Sequence, residues 1–335
     1  MDVVRPGVTI ADRYVLEREL GRGGMATVWL ARDGRHEASV ALKVLDPVIA
    51  SRQGNERFAR EIRVTARLQH PHVLPVLDSG EIDGTPWYAM PYVEGETLAE
   101  RLARERQLPI PDALRIALEL ADALAYAHGR GVVHRDLKPG NVLLAGYPPR
   151  SGTNAATNGS TNAVTNGAPS WHAMLADFGI ARAIDGAGDT LTETGMAVGT
   201  ATYMSPEQAA GERVDGRSDV YALGCVLYEM LAGAPPFTGP SPQAVLARHA
   251  IDPVPSVRTV RPTVSAALEG VLVRALAKVP ADRWPDAGAF AAALAEVART
   301  AESTGAAGAP PAAVTSPPGG STIGHARRAA RPGRW

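Results

Sequence analysis

Apolar and polar positions alternate along the first quarter of the chain. Tyr14–Leu20, Thr27–Arg32, Ser39–Leu45, Val73–Ser79 and Trp87–Met90 are rich in β-branched and aromatic residues, which predicts short strands. One helix is predicted among them, over about Asn55 to Gln69. It ends at His70-Pro71, because the residue before a proline is pushed out of helical geometry. From Pro111 onward the period changes. Leu114, Ala117, Leu118, Ala121, Leu124, Ala125 and His128 recur at helical spacing and form one apolar stripe. Further helices are predicted over Ser218–Leu231, Pro242–His249, Ser265–Ala277 and Ala287–Ala301. The expected fold is α+β: a small β-rich lobe with one helix, then a larger helical lobe, with a ligand site in the cleft between them.

Two segments break this texture. From Gly146 to Ser170 four consecutive quartets begin Thr-Asn and carry almost nothing to bury, which predicts a disordered insert. From residue 299 to residue 335 the chain is rich in Ala, Pro and Gly. It holds five Arg against one Glu there, a local charge of +4, and is read as a disordered basic tail that could dock acidic partners.

Composition narrows the function classes. Of 335 residues, 45% are hydrophobic and 21% charged, which is ordinary globular usage and excludes a chain disordered throughout. Lys+Arg 34 against Asp+Glu 35 gives −1, so global charge argues for neither nucleic acid nor an anionic membrane as partner. The lone Cys225 can form no intrachain disulfide. The longest strongly apolar uncharged run, Val220 to Tyr228, is far shorter than the ~20 residues of a spanning helix. The first residues lack an apolar export core. The expectation is a cytoplasmic protein without a transmembrane segment.

Four motifs carry chemistry. Leu20-Gly21-Arg22-Gly23-Gly24-Met25-Ala26-Thr27-Val28 is a Gly-rich turn between two predicted strands, where backbone N–H groups can approach phosphate oxygens. No Gly-Lys-Ser/Thr follows, so it is not a Walker loop. Lys43 interrupts the apolar strand Val40-Ala41-Leu42-Lys43-Val44-Leu45, and Glu61 on the predicted helix is its natural carboxylate partner. The most specific run is His134-Arg135-Asp136-Leu137-Lys138-Pro139-Gly140-Asn141. Asp136 can accept a hydroxyl proton, Lys138 can neutralise a transferring phosphoryl group, and Asn141 can ligate a divalent cation. Asp177-Phe178-Gly179 supplies a second oxygen ligand suited to Mg²⁺.

In this order, with Ser205-Pro206-Glu207 downstream, the motifs resemble those of the eukaryotic-like (Hanks-type) serine/threonine protein kinases of bacteria. The resemblance covers about Tyr14 to Ala298. It implies an N-terminal extension over residues 1–13 and a kinase domain over 14–298. The N-lobe would end near residue 93 and the insert would lie at about residues 146–170, at a hairpin tip between the strands that hold Asn141 and Asp177. The implied fold is the bilobal protein kinase fold, with a small antiparallel N-lobe and a larger, mainly helical C-lobe.

The implied roles follow the family residue by residue. Gly21, Gly23 and Gly24 cover the ATP phosphates. Lys43 contacts them and pairs with Glu61. Asp177 and Asn141 bind Mg²⁺, or Mn²⁺ in its place. Asp136 is the catalytic base and Lys138 contacts the γ-phosphate. Leu20, Val28, Ala41 and Leu143 enclose the adenine beside the gatekeeper Met90, and Pro91 and Val93 face it from the hinge. Pro91 lacks an N–H but keeps the carbonyl that this position offers. Thr200 bridges the catalytic aspartate and lysine, Glu207 pairs with Arg283, and Arg135 and Asp219 have structural or substrate-loop roles.

This sequence departs from the family pattern at Ala26, in place of the third glycine, at Ser205, and in the long insert; none of these removes a catalytic group. Lys138 and the segment Gly199–Glu207 argue for protein substrates phosphorylated on Ser or Thr. Thr192 and Thr194 fall where such kinases phosphorylate themselves in trans. The alternative is an ATP-binding pseudokinase or regulatory scaffold without phosphoryl transfer.

Overall fold

The computed structural model describes residues 4–23, 26–46, 62–146, 171–178 and 201–306. Its first lobe is a six-stranded antiparallel sheet. In chain order the strands are β1 (Thr9–Ile10), β2 (Tyr14–Arg22), β3 (Ala26–Asp33), β4 (Ala38–Leu45), β5 (Asp78–Ile82) and β6 (Thr85–Pro91). Their spatial order is β1-β2-β3-β4-β6-β5, so β6 is an interior strand. Period-two alternation divides the side chains between two cores. On β4, Val40, Leu42 and Val44 join Tyr14, Leu16, Trp29 and Trp87 on one face. Ala41 and Leu45 join Tyr88 and Met90 on the other, with the parity that Lys43 shares. Thus β4 aims its one charged residue at the cleft while its neighbours seal the lobe.

Residues just ahead of the expected domain start at Tyr14 pair with this lobe's sheet. Ile10 is fully buried and β1 pairs with the start of β2. Arg13 donates to both oxygens of Asp33 at 2.8 and 2.7 Å and reaches Asp78 at 3.0 Å. A two-residue strand is too short to show a period, which is why alternation does not reveal it.

The strand expected over Val73–Ser79 is displaced. Val73 makes only an isolated parallel bridge to Leu175, and regular pairing starts at Asp78. Pro75 has no N–H to give a ladder, so the segment stays extended while still burying Val73 and Leu74.

The second lobe is helical. Strand β7 (Gly95–Thr97) leads into α1 (Leu98–Glu105), which a Thr97–Glu100 capping box starts. Helix α2 (Ile110–His128) packs against α4 (Gly216–Ala232) and α8 (Ala287–Ala306). Between them in sequence, β8 (Val142–Ala145) and β9 (His172–Leu175) pair antiparallel, and β7 completes a three-stranded sheet. The insert at 147–170 lies outside the described residues. Short α3 (Pro206–Ala209), then α5 (Pro242–Ile251), α6 (Val257–Val260) and α7 (Ala266–Ala275), surround α4. Helix α8 runs to Ala306, past the expected end at Ala301. Because α4 is buried on nearly every side, it is the lobe's axis rather than an amphipathic surface helix.

Close approach to α4 explains one glycine. A Cβ on Gly216 would sit 2.6 Å from Nδ1 of His128. Gly270, on α7, has nothing within 4 Å of the same position. Gly216→Ala is therefore expected to lower the melting temperature by roughly 3–10 °C through overpacking. Gly270→Ala is expected to raise stability by about 0.5–1 kcal/mol, as in any exposed helix interior. Thermal and denaturant unfolding of the two variants check both signs.

Candidate active site

The site is built outward from α4. Asp219 is buried there, and its carboxylate accepts from the backbone N–H of His134 at 2.7 Å and of Arg135 at 2.8 Å. His128 Nε2 lies 2.7 Å from it and donates as a third partner. Burial alone would push this carboxyl up, but His128 and the backbone donors outweigh it and hold it below the usual range. Arg135 has φ +69°, a left-handed conformation rare outside glycine. The fixed N–H on one side, and Gln208 Nε2 donating to its carbonyl at 2.9 Å on the other, hold that conformation.

His134 couples this loop to the strand end before Asp177. Its Nδ1 accepts from the N–H of Asp136 at 3.2 Å, so Nε2 carries the proton that it donates to Ala176 O at 2.9 Å. Its ring meets Phe178 edge-on with centroids 4.7 Å apart. The N–H of Ala176 donates to Asn141 O at 2.9 Å. Asn141 and Asp177, thirty-six positions apart, are thereby held side by side.

Within the loop, Lys138 Nζ lies 2.7 Å from Asp136 Oδ2. Asn141 Nδ2 donates to the Asp136 carbonyl at 2.8 Å and to Oδ2 at 3.1 Å. That amide nitrogen is committed to Asp136, which leaves the Asn141 oxygen as the end available to a cation.

Across the cleft, Lys43 Nζ is 2.6 Å from Asp177 Oδ2, while the Tyr88 hydroxyl donates to Oδ1 at 2.5 Å. Burial pushes the Asp177 carboxyl up; Lys43 and Tyr88 outweigh it and keep it below its ordinary value. Asp177 also has positive φ, +66°. Lys43 thus meets Asp177 among the described residues, and its expected partner Glu61 lies outside them. Among the described residues no cluster of three His, Cys, Asp or Glu could hold a metal ion. A cation bound by Asn141 and Asp177 would draw its remaining ligands from phosphates and water, the pattern that suits Mg²⁺.

The residues expected around adenine converge. Leu20, Val28, Val93 and Leu143 pack against the cluster that contains Ala41 and Met90. Pro91 ends β6 opposite Val40, half-buried. Gly21 lies opposite Val28, and the N–H of Gly23 donates to Ala26 O at 2.9 Å. Gly24, Thr192, Thr194 and Thr200 lie outside the described residues.

Below the cleft, Arg283 forks onto Glu207, with both contacts at 2.7 Å. Its other N–H groups donate to the carbonyls of Ala277, Arg217 and Lys278, which satisfies all five donors of a buried guanidinium. Ser218 also donates to Glu207. Sequence reasoning missed Tyr88, Gln208 and the Tyr203–Glu229 hydrogen bond at 2.6 Å. Each joins residues distant in sequence, for which spacing gives no signal.

A bilobal fold with this loop defines the protein kinases. The protein kinase domain family model matches residues 14–292, and the chain belongs to that family. It is 41% identical over 295 residues to the serine/threonine-protein kinase PknB of Mycobacterium tuberculosis, covering 86% of this chain and 43% of that one. It is 38% identical over 303 residues to a probable serine/threonine-protein kinase PknB of Corynebacterium glutamicum, covering 88% and 43%. The kinase domain of Mycobacterium tuberculosis PknI superposes with a TM-score of 0.66 at 36% identity, covering 88% of this chain and 99% of that one. The chain spans less than half the length of the curated relatives it matches. Among the described residues no helix is long and apolar enough to cross a membrane.

The Arg283–Glu207 pair yields a test with a definite sign. Arg283→Leu leaves a buried carboxylate unpaired and is expected to cost about 3–5 kcal/mol at neutral pH. Burial raises the Glu207 carboxyl, but Arg283 and Ser218 more than offset this and hold it below the ordinary value of 4.5. The pair's contribution is therefore present above that pH and fades as pH falls through and below it. Denaturant titrations should show the gap between wild type and variant narrowing in acid.

Proposed function

We propose that this chain transfers the γ-phosphoryl group of ATP to serine and threonine hydroxyls of proteins. The observation that carries the proposal is the Asp136–Lys138–Asn141 cluster, tied through Ala176 and His134 to the Lys43–Asp177 contact. Asp136 takes the proton of the acceptor hydroxyl as that oxygen bonds to the γ-phosphorus, and the bond to the β–γ bridging oxygen breaks to release ADP. Lys138, beside Asp136, offsets charge on the transferring group. Lys43 holds the α- and β-phosphates, and the apolar cluster around Ala41 and Met90 encloses the base. Asn141 and Asp177 hold the divalent cation, Mg²⁺ or Mn²⁺, which neutralises phosphate charge when bound. Catalysis is positioning and electrostatics, which fits a loop whose backbone is fixed at both ends.

Lys138 and Gly199–Glu207 support Ser/Thr of proteins as the acceptor. The chain is also its own substrate in trans. Thr192 and Thr194 are the sites, and a phosphate there, with about −1.5 to −2 charge, pairs with Arg135 and raises activity. The basic stretch 299–335 docks acidic partners. An enzyme that consumes ATP acts where ATP is maintained, which supports a cytosolic setting for this domain.

Incubation with labelled ATP and Mg²⁺, followed by phosphosite mapping, tests the proposal. Asp136→Asn is expected to lower transfer by about 10²–10⁴-fold with folding intact, and Lys43→Met or chelation of the cation to lower it comparably. Thr192→Ala/Thr194→Ala is expected to lower activity several-fold, as is phosphatase treatment of wild type. Wild-type turnover by Asp136→Asn would contradict the role of Asp136. Full activity in the double variant, with no phosphate at either threonine in wild type, would contradict the autophosphorylation reading.

A further inference from the structure

His249, on α5, is fully buried and lies outside the transfer chemistry described above. Its ring spans the gap between α4 and the segment that follows Thr200. Nε2 is 3.0 Å from the carbonyl oxygen of Thr202, and Nδ1 is 2.8 Å from the hydroxyl of Tyr221 on α4. A carbonyl only accepts, so Nε2 carries the proton and Nδ1 offers a lone pair to the Tyr221 O–H. One neutral tautomer satisfies both contacts, giving a directed relay from Tyr221 through His249 to Thr202.

The surroundings fix that ring. Phe237 meets it edge-on with centroids 4.9 Å apart, and Tyr221 packs beside it at 5.6 Å. Lys278 Nζ donates to the His249 carbonyl at 2.7 Å and sits 4.0 Å from the centre of the Phe237 ring. Burial first, then the Lys278 ammonium, push the imidazole down to about 4, so it stays neutral at neutral pH.

The position of the relay matters more than its strength. Asp219 and Tyr221 are two residues apart on α4, and so face nearly opposite sides of the helix. Asp219 takes the catalytic-loop side, through the amides of His134 and Arg135. Tyr221 takes the other side, and His249 carries its reach to Thr202. Tyr203 adds a tether one residue on, through Glu229. Helix α4 thereby sets both the base, Asp136, and the segment 201–205 in one frame.

We propose that His249 is a positioning residue for phosphoryl transfer to proteins, holding the peptide-binding segment at a fixed distance from Asp136 through the Tyr221–His249–Thr202 relay. The inference rests on the reading of Gly199–Glu207 as the segment that holds the acceptor. A protein hydroxyl presented by that segment is displaced when the relay is lost, whereas water reaches the phosphate without it.

The test compares two acceptors in the same preparation: transfer from ATP to dephosphorylated casein, and ATP hydrolysis by water without casein. His249→Leu fills the volume but cannot bond. His249→Gln can donate to Thr202 and accept from Tyr221. Tyr221→Phe keeps the ring and removes the donor. His249→Leu is expected to lower the ratio of casein transfer to hydrolysis roughly tenfold and to raise KM for casein more than KM for ATP. His249→Gln should recover most of that loss, and Tyr221→Phe should lower the ratio a few-fold. A ratio for His249→Gln as low as for His249→Leu, or one within twofold of wild type for both His249→Leu and Tyr221→Phe, overturns the relay. If His249→Leu does not fold, an unchanged ratio in Tyr221→Phe overturns it alone. A wild-type protein that phosphorylates neither casein nor itself overturns the kinase reading first, and the relay with it.

Discussion

A single buried carboxylate organises the site. Asp219 lies where burial opposes its charge, and it remains charged because three donors converge on it. Two of those donors are consecutive backbone amides of the loop that carries Asp136. The loop can hold Arg135 at an unfavourable φ because its backbone has no easier place to put those N–H groups. Remove the carboxylate and only the Gln208 bond to the Arg135 carbonyl is left to oppose the strain. The helix that carries Asp219 is buried nearly all round, and Gly216 on it lies close against His128, the third donor. The axis of the helical lobe is also the reference frame of the catalytic loop.

The β-lobe contributes differently. Its described strands supply a face, set by alternation on β4 and β6, that groups Ala41 and Met90 in one apolar cluster with Lys43 on the same side. Among the described residues, Lys43 to Asp177 is a charged contact that joins the two lobes across the cleft. The chemistry of the site is therefore divided. On the proposed reading, the helical lobe carries Asp136 and the segment 201–205, and the β-lobe brings Lys43 and the apolar face around Ala41 and Met90 to them.

Much of this was legible in the chain, for a physical reason. His134 to Asn141 act within eight consecutive residues, so their spacing itself states their geometry. The parity of Lys43 with Ala41 follows from strand alternation, and the long stripe of α2 follows from helical period. What was not legible depends on tertiary contact. Tyr88 reaches Asp177 across 89 positions, and His249 reaches Thr202 across 47, with no local pattern to mark either. Pro75, by contrast, is a local signal: without an N–H it interrupts the strand expected over Val73–Ser79. The strand at Thr9–Ile10 is too short for any window, and only its pairing and the burial of Ile10 reveal it.

The central claim is that Asn141 and Asp177 serve one cation while Lys43 and Asp136 address the two ends of the same triphosphate. A crystal structure with Mg²⁺ and a non-hydrolysable ATP analogue tests it most directly. The account predicts a cation with Asn141 and Asp177 oxygens at about 2.0–2.1 Å, Lys43 against the α- and β-phosphates, and Asp136 facing the γ-phosphate. A nucleotide bound away from the cluster around Met90, or a cation held without Asn141 and Asp177, would contradict it.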